Sequence, residues 1–431
     1  MRDAESRRFL MSTWEGGGNV TPELGIARRL IARGHQVHVL ADPTIRDGAE
    51  AAGCTFSPWR RAPHHRTLDP SEDLLKDWEA ANPLVMLKRV RDRFIAGPAA
   101  EFAADTAEAI EHFQPHVVVP DAFLFGSIIA AQAAAVPVAL VVTNIWIMPT
   151  PGTPTIGPGF ALAKTVLGRT RDAAIRGVVN RLFRAGLPAI NRARAAHGLD
   201  PLSSFYAQAL AADLIVVLTS PVFDYASRSV PDNVRYVGPI LDDPNWVEPW
   251  VSPWSAPSEL PLVLVGFSST YQNQGPVLRR VVEALSALPV RAIVTVGQVL
   301  DGAEVGGAHN VAVVTSAPHS RILADASLVV SHCGHGTTMK TLAAGVPMVC
   351  IPMGRDQNDT AARVVHHGAG LRLSPKASVA AIRKTVQRVL EDDAFRANAS
   401  RLASSITDRR LTADVVAELE SLAAGPDGPR A

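Results

Sequence analysis

The sequence predicts an α/β protein made of two parallel-sheet domains in tandem. The first forty residues alternate strand, loop, helix and strand, an order that is typical of parallel sheets. The same alternation begins again at Leu262, after a proline-rich stretch over 239–261. A chain of 431 residues is long enough for two or three domains of about 100–200 residues each.

The N-terminal domain is predicted over residues 1–238. Its predicted elements are a strand over Phe9–Thr13, a loop over 15–22, a helix that ends at Gly34, a strand from His35 and a strand over His116–Pro120. The last of these strands is nearly all apolar, as expected for a parallel strand that is buried on both faces. It ends at Asp121.

The second half of the chain is predicted to repeat this organisation. Residues 239–260 are interpreted as an interdomain linker, because 239–261 contains six prolines and three tryptophans; the alternative is an ordered loop. The C-terminal domain is predicted over 261–405. Residues 406–431 are expected to form a helix that returns to the N-terminal domain, followed by a disordered tail.

Composition excludes several classes of protein. Forty-two Lys and Arg against 41 Asp and Glu give a net charge of +1, so nucleic-acid binding is not expected. The three cysteines, Cys54, Cys333 and Cys350, have neither metal-ligand nor disulfide spacing, which favours reduced thiols in a cytoplasmic protein. The charged opening Met1–Arg8 is not expected to be a secretory signal.

Two segments raise the question of membrane contact. Residues 122–163 carry no formal charge, but an Ala-Val-Pro break predicts a buried helix and a strand, and no transmembrane span is expected. Residues 164–194 hold eight basic residues and one acid, Asp172. They are predicted to form one or two amphipathic helices with a solvated face. The alternative is peripheral attachment to an anionic membrane surface or a carrier protein.

The most informative stretch is 331–359. A strand is predicted to end at His332, and a glycine-rich turn leads into a helix whose first turn carries Thr337 and Thr338. Free backbone N–H groups and the helix dipole at such a turn suit a diphosphate. Ordinary helix capping would use the same residue types.

The next strand ends at Pro352, and the loop after it presents Asp356 and Gln357. A carboxylate and an amide at the carboxyl end of a parallel strand suit sugar hydroxyls. Neither glycine-rich loop of the chain fits G-x-G-x-x-G, so a dinucleotide site is not predicted.

This stretch resembles the donor-site signature of family 1 glycosyltransferases, from His332-x-Gly-x-Gly-Thr through Ala-Gly-Val-Pro to Asp356-Gln357. The family includes bacterial natural-product glycosyltransferases. Supporting matches lie at Val237–Pro239, Val265–Thr270 and Ser316–His319. The resemblance implies the GT-B fold, in which two Rossmann-like domains face each other across a cleft. It also implies a UDP- or dTDP-sugar as co-substrate and no bound cofactor.

The resemblance implies a role for each matching position. The implied donor-binding residues are Ser268, Ser269, Thr270, Ser316, Ala317, His319, His332, Gly334, Gly336, Thr337, Thr338, Asp356 and Gln357. The expected acceptor-pocket residues are Trp14, Thr143, Trp146 and Met148. The family inverts the anomeric centre by direct attack of an acceptor hydroxyl and requires no metal.

Three positions depart from the family pattern. Asn19 stands at the position of the catalytic base, and an amide cannot accept a proton near neutral pH. Lys340 stands where many relatives have a ribose-binding Glu, and Ser316 replaces the aromatic residue that stacks on the base. The first departure bears on the mechanism, and the other two bear on the identity of the nucleotide.

Asp121 lies in the place of the family's histidine-orienting Asp. One interpretation is an ordinary turn acid. Another is that Asp121 is itself the base, with a pKa tuned by apolar surroundings, while Asn19 orients the acceptor hydroxyl. A third is that the acceptor is a phenol or another acidic nucleophile that needs little help from a base.

The favoured function is an inverting, metal-independent glycosyltransferase that acts on an apolar small molecule such as a natural product, a phenol or a lipid. Two alternatives come from other classes. One is a catalytically silent GT-B protein that acts as a partner or activator, which Asn19 motivates. The other is a different GT-B enzyme, such as a sugar-nucleotide epimerase. Fold alone does not separate the three.

Overall fold

The computed structural model describes residues 6–225, 229–243, 251–254 and 258–425. The N-terminal strands are β1 (Arg8–Ser12), β2 (Gln36–Ala41), β3 (Thr55–Pro58), β4 (Val117–Pro120), β5 (Ala139–Val142), β6 (Leu214–Val217) and β7 (Val234–Tyr236). The C-terminal strands are β8 (Leu262–Gly266), β9 (Arg291–Thr295), β10 (Val311–Val314), β11 (Ala326–Ser331), β12 (Met348–Cys350) and β13 (Gly370–Arg372).

Helices connect and cover these strands. Those of the N-terminal half are α1 (Val20–Ala32), α2 (Arg46–Ala51), α3 (Pro83–Arg89), α4 (Ala99–Phe113), α5 (Phe125–Ala133), α6 (Val166–Arg184), α7 (Leu187–Ala196) and α8 (Ala207–Leu210). The remaining helices are α9 (Gly275–Ser286), α10 (Gly302–Val305), α11 (His319–Leu323), α12 (His335–Ala343), α13 (Gln357–His366), α14 (Val379–Glu391), α15 (Asp393–Ile406) and α16 (Val415–Ala424). A π-helical turn, Val90–Ile95, follows α3.

Both halves contain parallel sheets, as the sequence predicts. In the N-terminal half the orders are β3-β2-β1-β4 and β5-β6-β7, and two isolated bridges, Val118–Val138 and Asp121–Val141, join β4 to the β5 edge. The C-terminal sheet has the order β10-β9-β8-β11-β12-β13. In each sheet the order reverses beside the first strand, between β1 and β4 and between β8 and β11. A crevice opens at the carboxyl ends of the strands at such a switch point, and ligands bind there.

The uncharged segment 122–163 forms α5 and β5, whose residues are buried, so the prediction of a core helix and strand is confirmed. Residues 164–194 form α6 and most of α7, which confirms two amphipathic helices. Among the described residues, no helix combines the length and the apolar character that a membrane span requires.

The last described helix, α16, packs beside the first strand. Val415, Val416 and Leu419 of α16 are buried in a hydrophobic cluster with β1, β2 and α1, whereas α15 packs on α12 of the second sheet. Two tryptophans of the expected linker, Trp246 and Trp250, and the expected tail after 425 lie outside the described residues. The domain bounds 1–238, 239–260, 261–405 and 406–431 stay predictions.

Candidate active site

One large cavity lies between the two halves, at the carboxyl ends of both sheets. Its volume is about 1320 Å³. The N-terminal half lines it with the β1–α1 loop, residues 121–123 and residues 143–150. The C-terminal half lines it with residues 267–269, 315–319, 332–337 and 353–358. Both switch points therefore open into the same space.

His332 and the turn after it form one wall of this cavity. The ring of His332 stacks on Phe267, with centroids 5.8 Å apart. Cys333 has φ 64°, a left-handed conformation that is uncommon for a residue other than glycine. A Cβ atom on Gly334 would lie 2.5 Å from His332 Nε2, so the close approach of the ring requires glycine. Burial lowers the pKa of His332 to about 4, which leaves a neutral ring with one N–H to donate.

The first turn of α12 faces the cavity through backbone and small side chains. Gly334, Gly336 and Thr337 line the cavity. Thr338 differs from these residues, because it is fully buried and its hydroxyl donates to the carbonyl of Gly334 at 3.0 Å. The structure therefore places the Thr338 side chain with the helix and away from the cavity.

Ser316, Ala317 and His319 line the end of the cavity beside β10. The His319 Nε2 and Thr295 Oγ1 atoms are 3.2 Å apart. Burial lowers the pKa of His319 to about 4, so this ring is also neutral at pH 7. His319 therefore offers a neutral polar group at this end of the cavity.

Lys340, the residue that departs from the family's ribose-binding Glu, has a partner from outside the donor loop. Its Nζ donates to Asp243 Oδ1 at 2.7 Å, and the hydroxyl of Ser320 donates to Asp243 Oδ2. Lys340 and Asp243 both line the cavity. A carboxylate therefore lies beside Lys340 on the cavity wall, although Asp243 precedes the second sheet in the chain and the resemblance did not identify it.

Asp356 and Gln357 lie at the start of α13, and they differ in which side-chain oxygens remain available to a ligand. Asp356 Oδ2 accepts from Asn144 Nδ2 at 3.4 Å. Gln357 is buried, and its Oε1 accepts from the backbone N–H groups of Met353 and Gly354 at 2.8 and 3.1 Å. Gln357 therefore shapes the loop that presents Asp356, and its carbonyl is already occupied.

In the loop after β8, too, some of the predicted donor-binding residues line the cavity and one does not. Ser268 and Ser269 line the cavity, whereas Thr270 is absent from its wall and accepts from Arg355 Nη1 at 3.1 Å. Arg355 Nε also donates to Asp77 Oδ2 at 2.5 Å, which joins the two halves of the protein across the cavity. Sequence reasoning missed both members of this ion pair. Only Arg355 had a signal, its position next to Asp356.

Asn19 directly precedes α1, but its side chain caps no backbone N–H of that helix and hydrogen-bonds within the β1–α1 loop instead. Its Nδ2 donates to the carbonyl of Trp14 at 2.9 Å and to Thr13 Oγ1 at 3.2 Å. Its Oδ1 accepts from the backbone N–H of Gly16 at 3.1 Å. These contacts make Asn19 a loop-shaping residue, and it would have to give up one of them to orient an acceptor hydroxyl as the sequence hypothesis requires.

Asp121 follows β4 and lies on the cavity wall. It is 2% exposed, and its Oδ1 accepts from Trp14 Nε1 at 3.2 Å and from the N–H of Phe123 at 3.0 Å. Burial raises the pKa of Asp121 to about 6. A second buried carboxyl, that of Glu23, lies against Asp121. Sequence reasoning missed Glu23, which lies within the helical pattern of α1 and belongs to no motif.

The four residues of the expected acceptor pocket, Trp14, Thr143, Trp146 and Met148, lie on the wall of the same cavity. The Trp14 ring is 4.2 Å from that of Phe94, centroid to centroid. The cavity has further apolar lining residues that the sequence did not assign to the pocket, namely Leu87, Val90, Phe94, Val179 and Phe183. Of these, Val179 and Phe183 lie on α6, whose apolar face was visible in the sequence.

Within the described ranges, no group of three or more His, Cys, Asp and Glu side chains is arranged to hold a metal ion. Cys54, Cys333 and Cys350 are free and buried. The closely spaced His332 and His335 diverge, since His335 Nε2 lies 3.0 Å from the backbone carbonyl of Leu218.

Two Rossmann-like parallel sheets that share one interdomain cleft define the GT-B class of folds. Comparison with solved structures agrees. The calicheamicin glycosyltransferase CalG4 superposes with a TM-score of 0.72 at 21% identity, over 98% of this chain and all of that one. The glycosyltransferase of kitacinnamycin superposes with a TM-score of 0.74 at 21% identity, over 97% of this chain and 98% of that one. The fold is therefore GT-B.

Sequence comparison identifies the kind of glycosyltransferase. Residues 279–422 match the family model of the erythromycin biosynthesis protein CIII-like C-terminal domain. The chain is 28% identical to 4'-demethylrebeccamycin synthase of Lentzea aerocolonigenes, over 96% of this chain and 99% of that protein. It is 27% identical to demethyllactenocin mycarosyltransferase of Streptomyces fradiae, over 94% and 85%. The resemblance stated from the sequence is confirmed in that the relatives of the chain are bacterial natural-product glycosyltransferases.

Proposed function

We propose that the protein transfers a hexose or deoxyhexose from a UDP- or dTDP-sugar to an apolar small molecule, with inversion and without a metal. The observation that carries this proposal is the shared cavity. One switch point supplies a neutral histidine and a helix N-terminus, and the other supplies a buried carboxylate, Asp121. The first pair suits a diphosphate, and the carboxylate suits a proton transfer.

The donor is proposed to lie along the C-terminal wall. His332, Gly334, Gly336 and Thr337 hold its diphosphate through N–H and O–H donors, together with Ser268 and Ser269. Ser316, Ala317 and His319 lie against the base, and Asp356 accepts from the sugar hydroxyls. A solved relative, VinC, was crystallised with dTDP, which supports a nucleotide-linked donor.

The acceptor is proposed to occupy the aromatic N-terminal wall, with its nucleophilic hydroxyl at Asp121. A carboxylate whose pKa is raised to about 6 is ionised at pH 7 and is a stronger base than an ordinary aspartate. Trp14 and Trp146 supply apolar area for a natural product, a phenol or a lipid. The buried free cysteines support a cytoplasmic location.

Incubation with UDP-glucose or dTDP-glucose and a panel of phenolic and macrolide acceptors tests the proposal. The expected product is the acceptor plus one hexose, detected by mass, with a β-linkage from an α-linked donor. Activity is expected to persist in EDTA. Nucleotide-sugar epimerisation without acceptor would instead favour the epimerase, and donor binding without any reaction would favour the silent partner.

We further propose that α6 and α3 form a basic, apolar face that contacts an anionic membrane surface. On α6, Val166, Leu167 and Val178 are 71%, 81% and 53% exposed, and α3, which packs on α6, exposes Leu84 and Val85. Arg169, Arg181 and Arg184 are exposed on α6. The acid of this helix, Asp172, is buried against Arg171. Exposed apolar side chains among cations suit an anionic lipid headgroup layer.

Co-sedimentation with vesicles tests this contact. We expect binding to phosphatidylglycerol-containing vesicles, little binding to pure phosphatidylcholine, and a loss of binding in Leu167→Ser. Leu411→Ser, which changes an exposed leucine elsewhere, is the matched control. Equal sedimentation of all three proteins with both vesicle types would contradict the membrane contact.

A further inference from the structure

Two buried carboxyl groups lie against each other beneath the β1–α1 loop. Glu23 and Asp121 are each 2% exposed, and their carboxyls are within hydrogen-bonding reach of each other. Asp121 Oδ1 accepts from Trp14 and Phe123. Glu23 Oε2 accepts from the hydroxyl of Thr13, whereas Glu23 Oε1 is buried with no donor in the part of the chain that the structure describes.

The neighbours that shift the pKa values of Glu23 and Asp121 include no basic side chain. The charged side chains on α1, the β1–α1 loop and α16 have partners elsewhere, in the contacts Arg28–Asp242, Arg29–Asp242, Arg33–Glu420, His35–Glu420, Arg235–Glu418 and Glu15–Thr44. The two carboxyls must therefore balance their own charge.

Two carboxylates in a dry site repel each other, and a hydrogen bond between them requires a proton on one of them. Burial and the charge of Asp121 raise the pKa of Glu23 well above its usual range. The pKa of Asp121 is raised to about 6 by burial, while the hydrogen bond from Glu23 lowers it. Near pH 7 the pair thus holds one proton and one negative charge, with the proton on Glu23.

The surrounding donors fix where that proton lies. Glu23 Oε2 is already an acceptor for Thr13, whose own oxygen accepts from Asn19 Nδ2 at 3.2 Å. Glu23 Oε1 is buried without a hydrogen-bond partner among the described residues, so it is the oxygen that is free to carry the proton. Asn19, at the position where relatives place a base, therefore acts here through Thr13, because it donates to the hydroxyl that donates to Glu23.

We propose that Glu23 is a positioning residue that donates its retained proton to Asp121 and so keeps Asp121 the ionised member of the pair. This inference rests on the proposed function. In the transfer step the acceptor oxygen bonds to the anomeric carbon, and the bond from that carbon to the diphosphate oxygen breaks. The bonding electrons leave with the nucleoside diphosphate. The hydroxyl proton moves to the Asp121 carboxylate, and the doubly protonated pair later returns one proton to water.

Unfolding measured against pH tests the retained proton without any substrate. A carboxyl with a raised pKa in the folded state takes up a proton on folding, so its stabilising effect is lost as pH rises. We expect the unfolding equilibrium constant of the wild type, divided by that of Glu23→Gln, to increase about tenfold per pH unit between about pH 5 and 7.

Glu420→Gln is the matched control, because Glu420 is paired with Arg33 and His35 and its loss should give no such increase. If the unfolding equilibrium constants of wild type and Glu23→Gln changed with pH in parallel while the enzyme transferred sugar, the retained proton of the carboxyl pair would be overturned and the proposed function would stand. The expected slope in a protein that transfers no sugar would overturn the positioning role of Glu23 together with the proposed function.

The pH profile of kcat/KM tests the positioning role. Glu23→Leu removes the donor to Asp121, so the pKa of Asp121 should rise and the acid limb should move upward by about one pH unit. Glu23→Gln keeps an N–H donor and should move the limb less. A purely structural role would lower kcat at every pH without moving the limb, and an unmoved limb in Glu23→Leu would overturn the proposal.

Discussion

The two walls of the cleft use burial in opposite ways. On the donor wall, burial lowers the pKa of His319 and His332 to about 4, so both rings are neutral. On the opposite wall, burial raises the pKa of Asp121 to about 6 and that of Glu23 above its usual range. The same desolvation that removes charge from histidine places a carboxyl in the range where proton transfer is efficient. In the proposed function, donor binding and proton transfer are thereby separated in space.

The contrast predicts that the largest loss follows from a change at Asp121. Asp121→Asn should lower kcat by roughly 10²–10⁴, the usual effect of removing a positioned acid or base. Affinity for the nucleotide-sugar should stay within about threefold, because the donor wall is untouched. Single-turnover rates with an aliphatic alcohol acceptor, together with donor titration, measure the two effects.

Asp105→Asn is a control in the same half of the protein, since Asp105 is a buried carboxylate that caps backbone N–H groups far from the cavity wall. If Asp121→Asn turned over as fast as wild type, Asp121 would not be the proton acceptor, and the contrast between the two walls would not hold. High turnover of Asp121→Asn with phenols alone would show that acidic nucleophiles need no base.

The second prediction concerns the donor wall. His332→Ala removes an N–H donor to the diphosphate, and a hydrogen bond to a charged group contributes about 1.5–3 kcal/mol, or roughly ten- to a hundredfold in affinity. UDP and dTDP titration by calorimetry measures it. His309→Ala, an exposed histidine outside the cavity lining, should leave affinity unchanged. Wild-type affinity in His332→Ala would contradict the placement of the donor.

The two walls also differ in how far the sequence predicts them. The alternation of strands and helices along the chain and the turn after His332 follow from the sequence pattern and from one contiguous motif, whereas the strand orders and switch points appear only in the folded sheets. Asp243 and Glu23 were not predicted, since they belong to no motif and act through contacts made in the folded chain. Gln357 and Thr338 show the opposite limit of the sequence motif, which predicted ligand contacts for side chains that the fold uses elsewhere. Their positions match the motif, but local hydrogen bonds direct their side chains into the loop and the helix.

A third prediction uses pH to separate the walls. Donor affinity, measured with a nucleotide-sugar and no acceptor, should be flat from about pH 5.5 to 8, because His319 and His332 are neutral throughout. By contrast, kcat/KM should fall about tenfold per pH unit below about pH 6, as Asp121 takes up a proton. An acid limb in donor affinity that matches the limb in kcat/KM would break the separation.

The smallest effect on activity is expected from a change at Asp77, where the two halves of the protein are joined across the cavity. Asp77 accepts from Arg355 Nε at 2.5 Å and from Gln272 Nε2 at 3.0 Å, and both donors belong to the opposite half of the protein. Asp77→Asn keeps an acceptor oxygen but removes the charge, so about 1 kcal/mol of cleft closure should be lost. KM for both substrates should rise about fivefold while kcat changes little, and the difference should shrink at high salt.

Glu108→Gln is the control for this change, because Glu108 pairs with Arg60 and Arg61 within one half of the protein and should leave both KM values unchanged. If Asp77→Asn lowered kcat as strongly as Asp121→Asn, the bridge would take part in the chemistry itself, and the two walls could not be treated as separate. If instead KM were unchanged at low salt, the two halves would be held together by their other contacts. Those contacts include the Trp78 and Tyr271 rings, whose centroids are 5.0 Å apart. The Asp77 variant thus measures how much of substrate binding depends on bringing a donor wall and a proton-accepting wall together.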